Sequence, residues 1–125
     1  VTGIKRKLIW NVIMKFILLA IIIIHGLIHI LGFVKAFNLA EVNQLTRNIS
    51  KPAGLFWLSA AILFILTAVF YFLGKDWWWI IGSSAVIISQ VLIIRSWSDA
   101  KYGTIVNLIL IVLIIIAYIN LQPMN

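Results

Sequence analysis

The sequence predicts an all-α integral membrane protein: a four-helix transmembrane bundle with short loops, built as a single transmembrane domain over residues 1–125. Three observations predict it. Hydrophobic residues form 64% of the chain, against about 45–50% in soluble domains, and mean hydropathy is +1.16. A soluble fold of this size has no interior large enough to hide that much apolar side chain. The apolar residues also fall into four runs near or beyond the ~20 residues that cross a bilayer as a helix, and charged residues, 10% of the chain, collect mainly between those runs.

The first run, about residues 8–37, is interrupted by Asn11, Lys15, His25, His29 and Lys35 and preceded by Lys5, Arg6 and Lys7. At about 1.5 Å per residue it exceeds the ~30 Å hydrocarbon core, so it tilts or protrudes. Lys15 is placed to snorkel back to the interface. The second run, about 53–74, opens on Ser50-Lys51-Pro52, a Ser N-cap with Pro in the first turn, and Gly74 ends it. The third, about 77–95, opens on Trp77-Trp78-Trp79, which beside Lys75 and Asp76 reads as an interfacial aromatic belt, and closes on Arg95. The fourth, about 104–121, follows Gly103 and stops before Pro123.

The longest connection runs from Asn38 to Ser50. Leu39, Val42, Leu45 and Ile49 recur there at roughly helical spacing, which fits a short amphipathic helix in the interface; a plain polar loop is the alternative. Small residues recur every seven positions in the second run (Ala53, Ala60, Thr67, Gly74) and the third (Gly82, Ser89, Ser96). Such stripes let helix backbones approach closely and suit left-handed crossings.

Four alternating spans put both termini on one side. Lys and Arg then divide equally: Lys5, Arg6, Lys7, Lys15 and Lys75 on the terminal side, and Lys35, Arg47, Lys51, Arg95 and Lys101 on the other. The compact N-terminal cluster favours a multi-pass protein of the cell membrane with both termini cytoplasmic. The net charge of +7 flanks apolar segments, so membrane lipids are the expected partners rather than nucleic acid; a homo-oligomer or a partner membrane protein is a further expectation. The absence of cysteine excludes thiolate metal sites, iron–sulfur clusters and cysteine nucleophiles. No acidic residue lies within a span, which argues against a channel or pump.

Polar side chains at membrane depth are costly and face the bundle interior. His25 and His29 lie one turn apart on a stripe with Asn11, Leu18, Ile22, Gly32 and Ala36, and the last two imply close contact with another helix. Matched by depth, His25, His29, Ser59, Ser89, Gln90 and Asn107 all fall in the half away from the termini; the other half offers mainly Asn11, Thr67, Tyr71 and Tyr118. The predicted site is therefore lined by His25, His29, Gln90 and Asn107, with Ser59 at similar depth and Arg95 and Asp99 at its mouth. Ser83, Ser84 and Ser89 read as helix-packing residues. Simple hydrogen bonding between helices is the bland alternative for the whole set.

The chemistry narrows accordingly. Two histidines on one face of one helix do not present ligands to opposite faces of a haem. Such a pair can chelate a metal ion, but a third ligand is needed, and Asp99 or Glu41 would have to fold inward. A quinone, a lipid or another amphipathic molecule asks less: a few polar groups and aromatic walls suffice to hold it, and His and Gln side chains suit its carbonyl or headgroup.

Three stretches carry a resemblance: Gly26 to Phe37, Ser50 to Leu58, and Ser89 onward through Trp97-Ser98-Asp99-Ala100-Lys101 to Asn107. Together they resemble the membrane region of a group of uncharacterised bacterial proteins of the inner membrane, some of which carry a soluble domain after it. The resemblance implies that this chain is the membrane part of a longer protein. The start at Val1 and the ending Pro123-Met124-Asn125 are compatible with that. In helix count and size the layout is also similar to the DoxX-like small membrane proteins, some of which serve quinone-linked oxidoreductases. The expected function is a non-catalytic membrane domain or subunit whose polar pocket takes a lipid-like or quinone-like ligand or a partner helix. The alternative is a small redox or metal-handling subunit using His25 and His29.

Overall fold

The computed structural model describes residues 2–121, and the described chain is helical without strands. The helices are α1 (Thr2–Ala36), α2 (Lys51–Phe72), α3 (Trp78–Arg95), the single turn α4 (Trp97–Ala100) and α5 (Gly103–Leu121). Three of them, α1, α2 and α3, are long and apolar enough to cross a membrane. The helix stop read at Pro123 lies outside the described residues.

Local chemistry sets the ends. Ser50 has extended backbone, and its hydroxyl accepts the Ala53 N–H at 3.3 Å, with Pro52 in the first turn of α2. Gly74 closes α2 in the left-handed region at φ +72°, while the N–H groups of Gly74 and Lys75 donate to the carbonyls of Tyr71 and Phe70. That is the paired bonding of a Schellman cap. Gly74 therefore terminates the helix and is not a packing contact of the small-residue stripe. Asn38 does the same for α1 at φ 53°, with Leu39 N–H donating to Val34 O.

Neighbouring helices run antiparallel. Gly26 meets Phe64, Gly32 meets Trp57 and Gly54 meets Ala36, so numbers rise along α1 as they fall along α2. Phe70 and Tyr71 of α2 lie against Trp77 and Trp78, and Gln90 and Trp79 of α3 against Thr104 and Tyr118 of α5. Both ends of the described chain thus lie at one end of the bundle, here the proximal end. The joints are tight because glycine makes them so: a Cβ on Gly32 would stand 2.1 Å from the indole of Trp57. The core gathers Leu18, Ile22, Phe64, Ala85, Val86 and Leu110, while Ile24, Ile62, Ile87, Ile94, Leu108 and Ile115 face outward. An apolar exterior this extensive is not made to face water.

Two expectations are corrected. The first loop contains no helix between Asn38 and Ser50. Its Thr46 and Arg47 N–H groups donate to the carboxylate of Asp99 at 2.8 and 3.2 Å, and Lys35 Nζ donates to the carbonyl of Leu45. Side-chain partners have replaced the helical ladder. Val42 and Leu45 still turn inward, whereas Leu39 is exposed. The three tryptophans do not form one belt either: Trp77, which precedes α3, is exposed, but Trp78, its first residue, is buried in the core against Tyr71.

Candidate functional site

The polar residues converge at the distal end of the bundle, away from the chain termini. His25 and His29 lie one above the other on α1, ring centroids 4.7 Å apart and edge-on. α2 supplies their aromatic wall: Phe64 lies 5.0 and 5.3 Å from the two rings, and Trp57 lies 5.3 Å from His29. Trp57 can stand there because Gly32, one turn beyond His29, leaves the notch that its indole fills.

One bond fixes the direction of the network. His29 Nδ1 is 2.8 Å from the carbonyl oxygen of His25. A carbonyl only accepts, so Nδ1 carries the proton and donates. A charged imidazole away from water is costly unless paired with an opposite charge, and the partners here are neutral, so His29 Nε2 is an acceptor. Ser89 Oγ, 2.8 Å away, donates to it and spends its single proton there rather than on the Asn107 carbonyl, which is farther off at 3.3 Å. Ser89 then faces Asn107 with a lone pair, and Asn107 Nδ2 donates to Ser89 Oγ at 3.0 Å and to Gln90 Oε1 at 3.0 Å. The carbonyl of Asn107 is left facing His25 Nε2 at 2.9 Å, and His25 donates to it. Gln90 Nε2 closes the series by donating to Thr104 Oγ1 at 3.1 Å. Among the described residues no fully buried side-chain nitrogen or oxygen lacks a partner.

A cavity of about 290 Å³ opens beside this network, between α1 and α5. His25 and His29 form its polar floor; Ile28, Trp57, Ile93 and Val106 are among its apolar walls. Gly103 adjoins His25, and a Cβ there would meet Ile93 at 2.7 Å. The first loop and α4 form the rim through Gln44, Leu45, Asp99 and Ala100. Asp99 ties the two together: besides the backbone bonds it accepts the Thr46 hydroxyl at 2.7 Å. That hydroxyl first, then the two N–H groups and the Arg47 charge, hold the Asp99 carboxyl below the usual carboxylate range against the opposing effect of desolvation.

Of the residues predicted from sequence, His25, His29, Gln90 and Asn107 share one network. Asp99 lies at the rim but turns its carboxylate onto the first loop. Arg95 is exposed on the last turn of α3 and does not line the cavity. Ser59 is also exposed and donates to the carbonyl of Leu55 on its own helix at 2.8 Å, so it has no part in the site. Gln90 is spent within the network and does not reach the cavity. Ser89, read as a packing residue, is the hub instead; Thr104, Trp57 and Phe64 were also missed.

Two familiar chemistries find no footing. The Ser89–His29 contact is the one a serine nucleophile makes with its base, but Ser89 is fully enclosed and borders no part of the cavity. Among the described residues no third His, Cys, Asp or Glu gathers with the histidine pair to hold a metal ion, and each Nε2 is already engaged. No protein-family model matches the chain, and neither a curated protein nor a solved structure shows significant similarity to it. The site is therefore read from its own geometry.

Proposed function

We propose that this chain is a four-span, multi-pass protein of the cell membrane, with both termini cytoplasmic, acting as a non-catalytic domain or subunit that binds the head of a lipid-like or quinone-like molecule at its distal end. The observation that carries this reading is the cavity itself: a small apolar chamber with a histidine floor, set between helices whose outer faces are apolar. Ligand sites for drug-sized molecules run to about 300–1,000 Å³. A chamber of about 290 Å³ suits a ring or headgroup, and the exposed faces of Ile28 and Tyr102 beside it give an attached chain a way out between α1 and α5. The length of α1, about 52 Å at 1.5 Å per residue, supports a span whose basic N-terminal turns protrude beyond the bilayer.

Native mass spectrometry in mild detergent tests the binding. A discrete lipid-like mass on the wild type, lost in both His25→Ala and His29→Ala, is the expected result. Bare protein, or random lipid adducts that both variants retain, would refute it. Orientation is testable because the chain has no cysteine: single cysteines introduced at Lys5 and Gln44 should be labelled by an impermeant maleimide from the cytoplasmic and opposite sides respectively.

A further inference from the structure

The same bond directions reach one atom further and specify the ligand's chemistry. His25 donates through Nε2 to the carbonyl of Asn107. In a neutral imidazole the other nitrogen is then a bare acceptor. Among the described residues His25 Nδ1 has no hydrogen-bond partner, yet no fully buried polar side-chain atom there is unpaired. Nδ1 therefore keeps contact with open space, and the cavity is the space that this otherwise buried side chain lines.

The reverse arrangement is disfavoured. Turning the Asn107 amide around would bring its carbonyl from 3.3 to 3.0 Å of Ser89 Oγ, whose only proton is committed to His29, and would set it 3.0 Å from the carbonyl oxygen of Gln90. Ser89 cannot redirect that proton, because His29 Nδ1–H is held on the backbone carbonyl of His25 and its Nε2 needs a donor. A backbone carbonyl at one end of the series thus dictates an acceptor at the other.

We propose that the distal cavity selects a ligand whose head is a hydrogen-bond donor, a hydroxyl on an apolar tail, received by His25 Nδ1. This rests on the ligand-binding reading above and sharpens it. A carbonyl head, as on an oxidised quinone, brings an acceptor to an acceptor. A phenolic or quinol hydroxyl, or the free hydroxyl of a glyceride headgroup, brings the proton the site lacks. At the rim the carboxylate of Asp99 on α4 is likewise an acceptor, and the cavity's other polar side chains, Gln44 and Tyr102, can donate as well as accept and so impose no polarity of their own.

The test uses wild-type protein in nanodiscs and two matched pairs of probes: 4-decylphenol with its methyl ether, and dioctanoylglycerol with its methyl ether. Each pair keeps its tail and differs by one donor and one methyl group. The expected result is that at least one hydroxyl compound binds about tenfold more tightly than its ether, the size of one net hydrogen bond, and moves the ¹⁵N resonance of His25 Nδ1 upfield while the ether leaves it in place. A preference confined to the phenol pair assigns the ligand to ring compounds; one confined to the glyceride pair assigns it to headgroups. Equal binding within each pair, with an unmoved Nδ1 resonance, overturns donor selection but leaves the cavity as a binding site. No saturable binding of any of the four overturns the ligand-binding reading as well.

Discussion

The two ends of the bundle share the same helices but use polarity differently. The proximal end has the larger opening, about 560 Å³ between α1 and α5 beside Asn11, Lys15, Tyr71 and Leu113. Its polar groups make isolated bonds to backbone carbonyls: Thr67 donates to Leu63 O on its own helix at 2.7 Å, and Lys15 of α1 reaches the carbonyl of Phe72 at the end of α2 at 3.4 Å. The distal opening is about half that size, yet side chains from α1, α3 and α5 are joined across helices by consecutive hydrogen bonds. Volume alone therefore does not mark a site in a membrane-type bundle. Any loosely packed seam leaves space, whereas a directed polar network costs stability to misplace and points at what it adjoins.

The comparison breaks most completely at Gly32. A β-branched side chain there must displace the Trp57 indole, so Gly32→Val should cost about 3 kcal/mol, the upper end of overpacking effects, seen as a lowered thermal midpoint in detergent and loss of the aromatic wall. A smaller effect separates the two ends directly. Asn107→Leu removes the partner of His25 Nε2, of Gln90 Oε1 and of one Ser89 lone pair, for about 1–2 kcal/mol, between the ~0.6 kcal/mol of an average intramembrane hydrogen bond and the penalty of orphaned buried groups. Thr67→Val at the proximal end removes only an intrahelical bond of a buried hydroxyl and should cost no more than the ~0.6 kcal/mol of an average intramembrane hydrogen bond. Equal costs at the two positions would erase the distinction between them.

The rim responds to acid. Asp99 is held below its ordinary pKa, so the clamp on the first loop is fully present above the unfolded carboxyl value of about 3.9 and is lost as pH falls through the lower folded value. Hydrogen exchange at the Thr46 and Arg47 amides, corrected for intrinsic rate, should stay slow at neutral pH and quicken only below about pH 4, and Asp99→Asn should quicken it at pH 7. Protection that ignores both acid and the substitution would contradict the clamp. The smallest effect belongs to Ser59→Ala, expected within about 0.5 kcal/mol of wild type and without influence on binding.

Depth was legible in the sequence and azimuth was not. Hydropathy runs and terminator residues place the helices to within a few positions, except that α1 begins several residues earlier than the apolar run, through Lys5, Arg6 and Lys7. Matching depth across helices brought His25, His29, Gln90 and Asn107 together. The same matching also admitted Ser59, which shares their level but lies about 100° around α2 from its buried neighbour Ala60. Ser89 carries the signature of a packing residue, and only its contacts reveal the hub. The first loop was unreadable for a different reason: what holds Thr46 and Arg47 is Asp99, more than fifty residues downstream, and no local periodicity can report a partner so far along the chain.

The central claim is that the distal cavity, rather than the larger proximal one, receives the head of an amphipathic ligand. Photo-crosslinking tests it most directly, with an alkylphenol bearing a diazirine on the first carbons of its tail and the adducts mapped by peptide sequencing. Saturable labelling concentrated at Ile28, Leu31, Tyr102 and Val106, suppressed by excess 4-decylphenol, is the expected result. Labelling centred on Met14, Ile109 and Ile116, or spread evenly over the outward helix faces without saturation, would contradict it.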